Sequence, residues 1–122
     1  MSSRPIIHIV DDEAPVRRAI SRLLRASGYR VAVYESVEQL LDRLPGEAGP
    51  GCILLDVLMP DGNGLAARER LMNVGVTLPV VFMTGAAEPI PGGAENMLLK
   101  PVLKDDLLHA IERALQAGVE RR

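Results

Sequence analysis

Five polar residues in this chain close or directly follow short apolar runs. Asp11 and Asp12 stand behind residues 6–10, Asp56 behind 52–55, Thr84 behind 80–83, and Lys100, with Pro101 after it, behind 97–99. In an open parallel sheet the C-terminal strand ends lie side by side, at the edge where ligands of doubly wound folds bind. Three carboxylates, a hydroxyl and an ammonium should therefore converge in one acidic pocket. An aspartate is a nucleophile only while ionised, and crowded aspartates resist full ionisation. A hard divalent cation resolves that conflict, and Mg²⁺, held by oxygen ligands and a few retained waters, suits the site. It also offsets the charge of an incoming phosphoryl group. Attack by Asp56 then gives an aspartyl phosphate, a form of covalent carboxylate catalysis. Lys100 supplies a point charge for one phosphoryl oxygen and Thr84 a donor for another.

The elements that must position these groups follow from the apolar pattern. Short apolar runs alternate with helical periodicity, which predicts an α/β fold with a parallel sheet. Residues 5–10 read as the first strand and 14–27 as a helix, with Pro15 in its first turn and Gly28 as its C-terminal cap. Val16, Ala19, Ile20, Leu23 and Leu24 form the apolar stripe of that helix. Residues 30–34 read as the second strand. Ser36 and Gln39 make a capping-box pattern ahead of a helix over 37–44. Residues 45–51 are a Pro/Gly-rich loop, and 52–56 is apolar enough for a central strand. A third helix over 64–74, a strand over 78–83, a strand over 97–99 and a last helix over 104–117 complete the pattern. There is no internal repeat and no low-complexity tract.

A chain of 122 residues fits one domain, 1–122 with a core over about 5–117. Its apolar share of 48% and charged share of 25% are ordinary for a globular protein. A net charge of −2 gives no reason to expect direct nucleic acid binding. The single cysteine, Cys52, excludes an internal disulfide and a cysteine metal site, and its strand position reads as an inert core thiol. No apolar run approaches the roughly 18 residues of a membrane helix, and the N-terminus lacks a secretory h-region. The expected location is the cytoplasm. His8 reads as a packed strand histidine, His109 as a solvated helix residue. The Arg17-Arg18 and Arg121-Arg122 pairs read as solvated faces, and the methionines as core filler.

The chain resembles the receiver domain of two-component response regulators over nearly its full length. The resemblance rests on Ile9-Val10-Asp11-Asp12-Glu13, on Asp56-Val57-Leu58-Met59-Pro60 with Gly64 beyond it, on Val81-Phe82-Met83-Thr84-Gly85, and on Lys100-Pro101. The stretch through Val31, Tyr34 and Ser36 is similar to receivers of the nitrogen-fixation type, which usually precede a helix-turn-helix output domain. The resemblance implies a flavodoxin-like doubly wound sheet of five parallel strands, order 2-1-3-4-5. It implies a phosphorelay in which Asp56 takes a phosphoryl group from a histidine kinase or histidine phosphotransfer protein. Asp12, Asp56 and the Leu58 backbone carbonyl would contact Mg²⁺, with Asp11 acting largely through water. Lys100 would bind the phosphoryl group, Thr84 would carry the switch signal, and Pro101 would follow a cis peptide bond. The chain's only catalysis would act on itself, so it is not expected to be an enzyme.

Two departures from that family pattern stand out. Thr84 and Lys100 lie 16 positions apart, about six residues short of the usual spacing, which exceeds one helical turn. Pro89, Pro91, Gly92 and Gly93 occupy much of what remains, so the fourth helix is expected to be absent or reduced to a turn. The family's dimer face would then be rebuilt, and a homodimer would use a non-standard face. The family's switch aromatic is here Met97, which can change rotamer at low cost. Three rival readings are a receiver-fold docking module that works without phosphorylation, a haloacid-dehalogenase-type phosphatase, and a flavin-binding protein. The phosphatase would want a second aspartate where Leu58 stands. The flavin reading has only two tyrosines and one phenylalanine behind it. Leu58 and Ala86 stand two residues after Asp56 and Thr84, where the resemblance implies that hydrolysis is tuned, and neither side chain can orient a water by hydrogen bonding. A comparatively long-lived phosphoaspartate is therefore expected, and Leu58→Asn should shorten its lifetime in a decay assay. Identical decay in both proteins would refute this.

Overall fold

A computed structural model describes residues 4–44, 49–59, 62–85 and 97–120. Five strands form one parallel sheet: β1 (Ile6–Val10), β2 (Arg30–Tyr34), β3 (Gly51–Asp56), β6 (Val80–Thr84) and β7 (Met97–Leu99). Two-residue strands β4 (Leu58–Met59) and β5 (Gly62–Asn63) pair as a separate antiparallel ribbon. The helices are α1 (Ala14–Ala26), α2 (Val37–Arg43), α3 (Gly64–Asn73) and α4 (Lys104–Glu120). The main sheet runs β2-β1-β3-β6-β7, the doubly wound order expected from the sequence. The expectation about a fourth helix between β6 and β7 falls on residues 86–96 and lies outside the described residues, as do Arg121 and Arg122.

Alternation along the strands builds two cores. Ile7, Ile9, Cys52, Leu54, Val81, Met83 and Leu98 point to one face, where Ile20 and Leu24 of α1 and Leu107, Ala110, Ile111 and Ala114 of α4 cover them. Val10, Tyr34, Ile53, Leu55 and Phe82 point to the other face. There they meet Val37, Leu40 and Leu44 from the α2 region and Ala67 and Leu71 of α3. Every residue of β3 is buried, as a central strand covered on both sides must be. An ion pair from Arg70 to Glu38 links α3 to α2.

Local chemistry sets the helix ends. Gly28, at φ +93°, follows the Ser27 C-cap of α1. The Gly28 N–H donates to the Arg25 carbonyl and the Tyr29 N–H to the Leu24 carbonyl, closing a Schellman motif. Gly75, at φ +85°, ends α3 the same way, with the Val76 N–H on the Leu71 carbonyl and its own N–H on the Met72 carbonyl. The Ser36 hydroxyl oxygen accepts the Gln39 N–H at 3.2 Å, as a capping box requires. The Gln39 side chain, however, takes the N–H of Glu35 rather than that of Ser36, so the box closes one residue early.

His8 is buried, and its Nδ1 shares a 2.9 Å hydrogen bond with the Tyr34 hydroxyl. Their rings stack, and the Arg43 guanidinium lies over the Tyr34 ring. His8 is thus a packed strand histidine, and His109 is exposed, both as expected. Two expectations fail. Met72, on the outer side of α3, is 63% exposed, so not every methionine fills a core. Arg17 is not solvated, for reasons given with the site below.

Burial pushes the Cys52 thiol up to about 12, far from the range in which a thiolate forms. A disulfide exchange reagent should leave it unmodified in the folded chain and label it only in denaturant. Labelling at the same rate in both would refute its burial. At the start of β3, a Cβ on Gly51 would collide with the backbone carbonyl of Ile6. Gly51→Ala should therefore lower the unfolding free energy in urea by at least about 1–3 kcal/mol.

Candidate phosphoacceptor site

Register places the chemistry. Val10 stands opposite Leu55, so the next residues, Asp11 and Asp56, leave adjacent strands at the same level. Asp56 pairs with Met83, so Thr84 lies one step further out. Thr84 pairs with Leu99, and Lys100 follows one step beyond that. The four positions thus form a staircase along the C-terminal edge of the sheet. The Lys100 N–H donates to the Thr84 carbonyl at 2.8 Å, which anchors the last step. The Lys100–Pro101 peptide bond is cis.

At the centre is the Lys100 ammonium. It lies 3.2 Å from Asp11 Oδ2, 3.2 Å from Asp56 Oδ2 and 3.4 Å from Glu13 Oε1. Asp11 and Asp56 are buried, whereas Asp12 and Glu13 are exposed. Burial works to lower the Lys100 pKa, but the carboxylates of Asp11 and Asp56 outweigh it and hold the pKa above the usual lysine value. The two carboxylates thus favour the charged form of Lys100.

Ligand atoms of Asp11, Asp12, Glu13 and Asp56 all lie within 4.8 Å of one another. Four carboxylates face one ammonium, which leaves an excess of negative charge. Asp11 Oδ2 is buried and, apart from its ion pair with Lys100, makes no directed hydrogen bond. An all-oxygen donor set with spare lone pairs fits a hard divalent cation. Glu13 belongs to this cluster although the sequence reading gave it no role. Its place directly behind Asp11-Asp12 was the signal.

The loop carrying these acids is tightly held. Asp11 Oδ1 accepts the Glu13 N–H at 2.8 Å, and the Asp11 N–H donates to the Tyr34 carbonyl at 3.2 Å. Arg17 donates from Nη1 to the Asp11 carbonyl at 2.6 Å, and its Nη2 lies 3.5 Å from Glu35 Oε1. Its side chain is only 13% exposed. Arg17 stands one helical turn after Glu13 and so faces back toward the site, while Arg18, about 100° around the helix, faces solvent. Treating the two arginines as one solvated pair overlooked that rotation.

The remaining candidates lie around this centre. Thr84 is buried at the end of β6, and its hydroxyl donates to the Gly85 carbonyl at 3.1 Å. Leu58 follows Asp56 by two residues and opens the short ribbon. Met97 is not at the acidic cluster. It stands opposite Phe82 and packs half-buried into the core beneath α2 and α3, on the sheet face that also carries Thr84.

Comparison with known proteins agrees with this arrangement. The response regulator receiver domain model matches residues 7–112. Response regulator protein TmoT of Ectopseudomonas mendocina is 35% identical over 123 residues, covering 96% of this chain and 56% of its own length. Transcriptional regulatory protein FixJ of Rhizobium meliloti is 32% identical over 114 residues, covering 88% of this chain and 55% of its own. The solved structure of response regulator StyR superposes with a TM-score of 0.86 at 33% identity, over 98% of this chain and 63% of that one. The chain thus spans little more than half the length of the curated relatives it matches. On the family match, the relatives and the shared fold, the chain belongs to the response regulator receiver domain family.

Proposed function

We propose that this receiver domain accepts a phosphoryl group on Asp56 and uses it to control an output domain or partner. The observation that carries the proposal is a carboxylate 3% exposed at a strand end, with the Lys100 ammonium at 3.2 Å and three further carboxylates around it. The donor would be a phosphohistidine on a histidine kinase or phosphotransfer protein. An Asp56 carboxylate oxygen attacks phosphorus, the P–N bond to the imidazole breaks with its electron pair leaving on nitrogen, and the imidazole takes a proton. Positioning and charge compensation suffice for such a transfer.

Asp12, Asp56 and the Leu58 backbone carbonyl would hold Mg²⁺, with Asp11 through water. When bound, the ion supplies charge neutralisation for the phosphoryl oxygens and the crowded carboxylates. Lys100 shifts from balancing Asp56 to binding one phosphoryl oxygen, and its standing positive charge makes that exchange possible without a proton transfer. Thr84 turns its hydroxyl from the Gly85 carbonyl toward the phosphoryl group. Met97, on the same sheet face, would relay that movement by a rotamer change in place of the family's aromatic. The added charge biases one of two conformations, which is the output of the switch.

No helix among the described residues is long and apolar enough to cross a membrane, and a cytoplasmic setting fits a kinase-fed receiver. The names of the relatives, which include a transcriptional regulatory protein, support an output in transcription, for which the family resemblance implies a helix-turn-helix domain.

The test is intact mass after incubation with acetyl phosphate and Mg²⁺, for the wild type and Asp56→Asn. The expected result is a magnesium-dependent gain of one phosphoryl group in the wild type alone. No gain by a folded chain would favour a docking module that works without phosphorylation.

A further inference from the structure

Arg17 differs from the other arginines of α1. Arg18, Arg22 and Arg25 are exposed, while the Arg17 side chain is 13% exposed and runs back along the helix toward the strand edge. Withdrawing a guanidinium from water is costly unless its donors are paired. Here Nη1 donates to the Asp11 carbonyl at 2.6 Å and Nη2 faces Glu35 at 3.5 Å. A charged donor on a carbonyl at that distance is a strong hydrogen bond.

The partner it grips is telling. Arg17 contacts the backbone of Asp11, not its carboxylate, whose two oxygens are taken by the Glu13 N–H and Lys100. Its charge therefore leaves the carboxylates open to a cation while pinning the turn that carries them. With the Asp11 N–H on Tyr34 and the Asp11 carbonyl on Arg17, both backbone polar groups of that residue are tied. Through Glu35 the same guanidinium joins the turn to the segment leading into α2.

We infer that Arg17 is a positioning residue for the acidic cluster: its guanidinium fixes the Asp11 carbonyl, and with it the turn that presents the Asp11, Asp12 and Glu13 carboxylates to a divalent cation. The inference deepens the proposed reading of the site and rests on its cation. It also makes an unusual demand on sign. On Coulomb's law alone, removing a positive charge near a cation site should tighten cation binding. Loss of positioning should weaken it, and outer-shell partners of metal ligands typically cost about 10–100-fold in affinity when removed.

Calorimetric titration of the whole chain with MgCl₂ decides between the two. Arg17→Gln should raise the Mg²⁺ dissociation constant at least about tenfold, with the fold confirmed by circular dichroism. Arg17→Lys, which keeps the charge and a donor group but loses the planar fork that reaches two partners, should fall between Gln and wild type. If Arg17→Gln fails to fold, Arg17→Lys carries the test alone, because its retained charge makes Coulomb's law predict no change. Binding as tight as or tighter than wild type in the folded variant would overturn the role of Arg17 and leave the cation site standing. A wild type that binds no Mg²⁺ would overturn the cation reading beneath it.

Discussion

The fold depends on one electrostatic compromise at the C-terminal edge of its sheet. Two carboxylates, Asp11 and Asp56, leave adjacent central strands at the same level and are buried there. Such a pair would repel at close range and lose hydration, both of which oppose folding. Lys100, delivered from the far strand β7, sits at 3.2 Å from each and holds them together. The compromise is incomplete, because Asp12 and Glu13 add charge that the ammonium does not balance. That residual negative charge is concentrated at one edge of the sheet, where Asp12 and Glu13 are exposed.

Much of this could be read before any coordinates. Four apolar runs, each followed by one or two polar residues, told which side chains share an edge, since a parallel sheet aligns strand ends by construction. Asp11, Asp56 and Lys100 do meet, Thr84 stands beside them, and Gly28 and Ser36 cap the helices as their types require. Met97 was placed correctly on β7, and its half-buried position follows from the alternation of that strand.

What escaped the sequence depends on rotation and on contacts between loops. Arg17 and Arg18 are neighbours in the chain yet point in different directions, and the helix start at Ala14, although read correctly, was not carried through to which of the two faces the acids. Glu13 joins the cluster because the Asp11 carboxylate turns its N–H inward, a detail of one turn. The ribbon of β4 and β5 is two residues long on each side, too short for any periodicity to register. Gly75 ends α3 by the same device as Gly28, one residue from where the sequence reading stopped that helix, although the glycine itself was not singled out as its cap.

The staircase of strand ends has a consequence for the order of events in the life of the chain. Asp11 and Asp56 belong to the first and third strands of the sheet, whereas the lysine that reconciles them comes on the last. During synthesis the acids emerge well before their counterion. Until β7 adds to the edge, the pair has no fixed positive partner from the sheet. A half-made or edge-frayed chain therefore carries the two acids at the sheet edge without that counterion. Compensation of the two acids arrives together with the final strand, so their burial is completed only when the sheet beneath them is.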